Sequence, residues 1–230
     1  MIYGLEEILT ISLAVVALVI TLLAQFNINR TYNKYKKVSN KRGITGAEAA
    51  RMILDKNGLN NIYVVETSGN LTDHYDPTRK TIKLSTDIYR GSTIAAVSVA
   101  AHEVGHAIQD KVGYKFMRIR SKLVPIVNLT SYLGYFSILV SLFAGITGYL
   151  KIGIIIEAIV LLFQLVTLPV EFDASARAKQ ELIELQITDS TEAIGTKKML
   201  RSAAMTYVAS LLSSIINILR LILMFNNRDD

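Results

Sequence analysis

His102 and His106 stand four residues apart with Glu103 between them, inside the stretch VAAHEVGHAIQD at residues 99–110. An α-helix carries residues i and i+4 on one face, so both imidazoles reach a single zinc ion at the usual ~2.1 Å. Glu103 then falls on the flank where an activated water would sit, which is the arrangement for metal-assisted hydrolysis with a carboxylate base. The rival account is an amphipathic helix carrying two imidazoles that water satisfies.

The rest of the ligand set follows from what the chain lacks. It has no cysteine, which excludes disulfides, thiolate ligands and a cysteine nucleophile. A catalytic zinc takes three protein ligands and leaves one position open, and only His74 remains among the histidines. A carboxylate is therefore expected as third ligand. LPVEFDASARAKQEL, residues 168–182, offers Glu171 and Asp173, and Glu171 is the choice. Asp173 is the alternative ligand; on a continuing helix it projects nearly opposite Glu171, which suits it to support a ligand histidine or to pair with Arg177. A solvent-facing acidic helix start would explain both acids without a metal. Small residues at Ala100, Ala101, Gly105 and Ala107 allow the two segments to pack closely. For the oxyanion of a peptide-hydrolysis transition state, His74, Tyr75 and Arg177 can each donate a hydrogen bond, and His74 joins Glu103 as a catalytic candidate. As a hairpin residue, His74 also reads as ordinary surface.

Short elements must position these groups. Thr45 with Glu48 forms a capping box for a helix from Ala47 to about Lys56, stopped by Gly58. Residues 61–66 (NIYVVE) read as a strand, 68–70 as a turn, and 71–75 and 80–84 as strands flanking the Asp76-Pro77-Thr78-Arg79 turn. Residues 92–110 read as a helix capped by Ser92. Its uncharged part, 91–102, is too short to cross a bilayer, so it is expected as a buried core helix.

Around this small α+β segment lie long apolar runs. The chain has 230 residues, 51% hydrophobic, with net charge +6, mean hydropathy +0.36 and pI ≈ 9.4. Such apolar content points to membrane spans. Residues 8–26 carry no charge and are about long enough to cross ~30 Å of hydrocarbon. Glu6 and Glu7 occupy the place of a basic leader, so a retained signal anchor is expected. Residues 124–150 and 152–170, separated by Lys151, read as a helical hairpin with Gly145, Gly148 and Gly153 as places to bend. Residues 207–225 form a fourth span, near whose end Arg220 can snorkel. Glu157 and Gln164 in the third span are expected to bond between helices or sit near the interface, the other reading being a functional polar path.

Lysines and arginines set the orientation. They cluster after the first span (Arg30, Lys34, Lys36, Lys37, Lys41, Arg42), before the hairpin and after it, which places residues 27–122 and 171–205 in the cytoplasm. The same distribution assigns the positive charge to a membrane surface rather than to nucleic acid. The expected organisation is an anchor at 1–26, a cytoplasmic α+β segment at 27–122, a transmembrane hairpin at 123–170, a cytoplasmic helical segment with the third ligand at 171–206, and a final span and tail at 207–230. Glu171 and His106 can share a site because the hairpin separates them by two crossings.

LTDHYDP (71–77), AAVSVAAHEVGHAIQ (95–109) and LPVEFDASARA (168–178) resemble the signature blocks of the YugP-like neutral zinc metallopeptidases, bacterial membrane proteins of the gluzincin type. The likeness spans most of the chain. It implies an α-helical multi-pass membrane protein with a small α+β gluzincin-like core, zinc held by His102, His106 and Glu171, and Glu103 as general base. Relatives often carry an aspartate four residues after the third ligand; that place is Ser175 here. The expected activity is a zinc-dependent endopeptidase at the cytoplasmic face of the inner membrane, with peptides or membrane proteins as substrates and membrane lipid as a partner. An edge of the sheet could take an extended substrate by strand addition. Two other readings compete: a site-2-type intramembrane protease, whose histidine helix is a full span, and a non-enzymatic scaffold with a structural metal, which has no use for Glu103.

Overall fold

The computed structural model describes residues 4–69, 72–144 and 149–229. Among the described residues, seven helices and three strands follow in the order α1 (Leu5–Tyr35), α2 (Gly46–Lys56), β1 (Tyr63–Thr67), β2 (His74–Asp76), β3 (Thr81–Ser85), α3 (Thr86–Arg90), α4 (Ile94–Lys111), α5 (Lys115–Ala144), α6 (Tyr149–Glu184) and α7 (Glu192–Asp229). They fall into two compact units, one drawn from the described residues of 1–25, 118–168 and 206–230, the other from 26–117 and 169–205.

The first unit is helical. Three described helices are long and apolar enough to cross a membrane, over Glu7–Tyr35, Ile152–Glu184 and Glu192–Met224. The expected span at 124–150 lies on α5 as far as Ala144 and ends on α6, so Lys151, expected between the two spans, is inside α6. Residues 145–148, with the bends expected at Gly145 and Gly148, lie outside the described set, as do Asn70 of the expected turn and Leu71 of the expected strand. Helix α1 meets α7 through small and hydroxylated residues. The Thr21 and Ser213 hydroxyls lie 3.0 Å apart, and Ser213 also donates to the Ala17 carbonyl at 3.2 Å. In hydrocarbon such hydroxyls have no water to bond, and a neighbouring helix supplies the partner. Glu157 is half-buried, and the buried Oε1 of Gln164 has no hydrogen-bond partner, so the helix-to-helix bond expected there is absent at that atom.

The second unit holds the predicted chemistry. The capping box at α2 forms as expected: the Thr45 hydroxyl accepts from the Glu48 N–H at 3.2 Å, and the Glu48 carboxylate accepts from the Thr45 N–H at 2.8 Å. Beyond it Ala49, Ala50, Ile53 and Leu54 point into the core, where they meet Ile82 and Leu84 of β3 and Val97, Ala100 and Val104 of α4. Each large aliphatic side chain buried there contributes roughly 1.5–3 kcal/mol.

The sheet has the order β1-β3-β2. The chain reverses at β2 and again at β3, so β3 runs antiparallel to β2 and parallel to β1, in register Tyr75↔Ile82 and Val64↔Ile82. The reversal uses the expected turn. Asp76 accepts from the N–H groups of Thr78 at 3.0 Å and Arg79 at 3.1 Å, and Lys80 closes the turn at φ 48°.

A short helix, α3, for which the sequence reading held no expectation, follows β3 directly. One expectation is corrected: the cap of α4 is Thr93, not Ser92. The Thr93 hydroxyl accepts from the Ala96 N–H at 3.2 Å, while the Ser92 carbonyl is engaged by the Asn40 N–H at 2.9 Å, which keeps Ser92 in the preceding extended stretch. Helix α4 is buried on nearly every side, and it is not among the described helices fit to cross a membrane.

Candidate metal centre

Helix α4 carries His102 and His106 one turn apart, their rings 4.8 Å between centroids and nearly perpendicular. Facing them is α6, which runs unbroken from the third apolar stretch into the acidic segment and brings Glu171 with it. Close approach of the two helices depends on Gly105. A Cβ at that position would lie 2.6 Å from the Ala174 carbonyl oxygen, so a residue with a side chain forces the backbones apart.

In this contact the Glu171 Oε2 lies 3.1 Å from His102 Nε2 and 3.7 Å from His106 Nε2. Ligand atoms of the three residues all fall within 4.8 Å of one another, forming a group that could hold a metal ion. Glu171 is 1% exposed and His106 6%. The structure thus brings together the three residues expected as ligands. Burial pulls the His106 imidazolium down, but the Glu171 hydrogen bond and the charges of Glu103 and Glu171 outweigh it and raise its pKa. The pocket is therefore electrostatically suited to a cation.

The two other ring nitrogens are held from outside. His106 Nδ1 faces the Gln109 Oε1 at 3.0 Å, and His102 Nδ1 faces the Ser175 hydroxyl at 3.3 Å. When Nδ1 bears the proton and donates, Nε2 keeps its lone pair free and turned toward Glu171. Two imidazole nitrogens and one carboxylate, so oriented, fit a catalytic zinc.

Gln109 was not among the sequence-derived candidates, yet it is fully buried and joins the centre to α6. Its amide donates to the Val170 carbonyl at 2.7 Å and to Asp173 Oδ2 at 2.8 Å. Asp173 in turn accepts from Arg177 Nε at 2.6 Å. Asp173 is outside the converging ligand group and instead holds Gln109, which bonds His106. The signal was present in the sequence, because Gln109 follows His106 by three residues and shares its helix face.

Glu103 is 8% exposed, and its Oε2 accepts from the backbone N–H of Tyr75 at 3.1 Å. That N–H belongs to β2, an edge strand, and does not enter the ladder with β3. The outer edge of β2 thus faces the carboxylate between the histidines. The Tyr75 hydroxyl is committed elsewhere, donating to Asp110 at 3.0 Å; burial, then Asp110 itself, pushes its pKa up and keeps the phenol protonated. His74 is exposed at the start of β2, its Nδ1 2.7 Å from the Thr72 carbonyl. Its proton is therefore spent on Thr72, and Nε2 becomes a donor only in the imidazolium form.

Compared with known proteins, residues 10–226 match the family described as "Putative neutral zinc metallopeptidase". The chain is 44% identical over 223 residues to a protein of Bacillus subtilis (strain 168) named "Putative membrane protease YugP", covering 96% of this chain and 99% of that protein. No solved structure matches it.

Proposed function

This chain belongs to that zinc metallopeptidase family, and from this premise we propose that it is a multi-pass membrane endopeptidase of the gluzincin type, working at the cytoplasmic face of the inner membrane. The observation that carries the proposal is the convergence of His102, His106 and Glu171 beside a carboxylate, Glu103, that the Tyr75 N–H of edge strand β2 holds in place.

Zinc, when bound by these three residues, supplies Lewis acidity that polarises a peptide carbonyl and acidifies a water. The chain does the remainder. Glu103 takes the proton from the attacking water and returns it to the leaving amine, its orientation held by the Tyr75 N–H. Gln109, whose Oε1 can only accept, keeps His106 in the tautomer that presents Nε2, and the Ser175 hydroxyl steadies the ring of His102. An extended peptide could add to an edge of the sheet beside this site, bound through its backbone and so with little side-chain selectivity, while the Tyr75 N–H stays with Glu103. His74 borders the same edge, and as an imidazolium it could donate to the developing oxyanion.

The position of α4 speaks for a site outside the hydrocarbon rather than for a site-2-type protease, since this helix is buried in the unit containing the sheet. Membrane proteins, small membrane peptides and unstructured tails are the substrates such a site would reach. The test compares two variants of the detergent-purified protein. Glu103→Gln is expected to keep its zinc and to lose proteolysis by at least about a hundredfold, within the range of general-base contributions. Glu171→Ala is expected to lose zinc itself. A Glu103→Gln protein that still hydrolyses peptides would overturn the general-base assignment, and Glu171→Ala protein with stoichiometric zinc would overturn the ligand set. Comparing membrane proteomes of cells carrying intact protein and Glu103→Gln then identifies the substrates.

A further inference from the structure

A second charged site lies in the unit of 26–117 and 169–205, away from the residues of the metal centre. Helices α1 and α7 form an open cavity of ≈ 330 Å³ lined by Arg30, Lys34, Lys198 and Arg201, with Asn27 and Thr31 as neutral donors. No acidic residue lines it. This contrasts with the chain's other basic residues, several of which are neutralised: Arg51 by Asp55, Lys56 by Glu181 and Glu184, Arg90 by Glu66 and Arg177 by Asp173. Among the described residues, no carboxylate forms an ion pair with any of the four cavity cations; Lys34 has only the ring of Tyr35, 5.5 Å away. Like charges four residues apart on α1 and three apart on α7 repel each other. An anion entering the cavity removes that cost.

The depth of the cavity identifies the anion. Arg30 is the first charged residue after the uncharged stretch 8–29 of α1, and Arg201 is the last before the uncharged stretch 202–219 of α7. Both stretches lie on helices fit to cross a membrane. The cations therefore stand where phosphate headgroups begin. Met205, one turn further into the apolar stretch of α7, also lines the cavity and gives it an apolar side suited to the glycerol and upper acyl carbons. A free phosphate would use the cations but not that side.

We propose that this cavity binds the phosphodiester headgroup of an anionic phospholipid, clamping α1 to α7 at the membrane surface. Basic pockets between membrane helices commonly take such headgroups. The cavity is also joined to the catalytic helix. Tyr35, on its wall, packs with Met199 of α7 and with Ile94 and Ala95 at the start of α4, so lipid that orders α1 and α7 supports the helix bearing His102 and His106.

The test uses the full chain in neutral detergent, with binding read by native mass spectrometry and stability by thermal unfolding. Phosphatidylglycerol is expected to be retained and to raise the unfolding temperature; phosphatidylcholine and inorganic phosphate at equal concentration are not. Lys198→Gln with Arg201→Gln is expected to weaken phosphatidylglycerol binding about thirtyfold, the loss of two surface cations. Lys36→Gln with Lys37→Gln removes the same charge from exposed positions that do not line the cavity, and is expected to bind as the parent does. Equal protection by inorganic phosphate would make this a free-anion site and overturn the lipid assignment. Equal weakening by both double variants would reduce the effect to net charge, and unchanged binding by the Lys198 and Arg201 variant would overturn the site. None of these outcomes depends on zinc or proteolysis.

Discussion

At the scale of single residues, the imidazole partners deserve the closest test, because they distinguish a built metal site from three ligating side chains that merely meet. Removing a group that holds the far nitrogen of a ligand histidine typically costs 10–100-fold in metal affinity. Ser175→Ala removes the hydroxyl facing His102 and leaves packing nearly intact, so it is expected to weaken zinc by about tenfold in competition with a chromophoric chelator, with activity recovered at saturating zinc. Gln109→Leu should cost more. It leaves the buried Nδ1 of His106 without its acceptor, at a cost of about 1–3 kcal/mol, and removes the bonds that tie Gln109 to the Val170 carbonyl and Asp173. If both variants bind zinc as the parent does, the tautomer argument fails. The histidines and Glu103 were legible from spacing alone; elimination, in a chain without cysteine and with one spare histidine, pointed only to a carboxylate, and Glu171 was picked from its place in LPVEFDASARAKQEL and from the resemblance. Ser175 was less legible as a partner, as were the bonds of Gln109 to Val170 and Asp173, because they depend on the angle at which α6 crosses α4, which no local pattern encodes.

Elements carry that angle, and Gly105 is where the backbones of α4 and α6 come closest to leaving no room for a side chain. A Gly105→Ala methyl would meet the Ala174 carbonyl at 2.6 Å, and backbone cannot rotate away as a side chain can. Overpacking of this kind costs about 1–3 kcal/mol. The expected result is a lower unfolding temperature together with weaker zinc binding, because the same separation withdraws Glu171; thermal unfolding with and without zinc measures both. A variant that loses stability but keeps its zinc affinity would show that Glu171 is positioned independently of this contact. The capping box of α2 was readable because both partners lie within one turn. The exchange of Ser92 for Thr93 as cap was not, because it is decided by Asn40, which is distant in sequence and takes the Ser92 carbonyl. The parallel pairing of β1 with β3 was hidden for a similar reason: strand character is local, but the choice of neighbour is settled by which faces Ile82 and Leu84 must bury.

At the scale of the whole molecule, the apolar runs made three membrane-competent helices readable, because hydropathy over a long window is additive and needs no tertiary contact. Sequence order hides the fact that residues 26–117 and 169–205 fold together across an intervening apolar segment; only the chemistry, which demands a carboxylate for two histidines, points across that gap. The orientation rests on charge alone, and it is open to direct measurement because the chain has no cysteine of its own. Arg79→Cys places a single thiol on the exposed turn between β2 and β3, and Gly4→Cys places one before α1, at an exposed position. If the positive residues after α1 lie inside, a membrane-impermeant maleimide should label Gly4→Cys in intact cells and Arg79→Cys only after permeabilisation. The reverse pattern would put the metal centre on the outer face and move its substrates there with it. Labelling of both thiols in intact cells would mean that α1 does not cross the bilayer, and the charge argument would fall at its first helix.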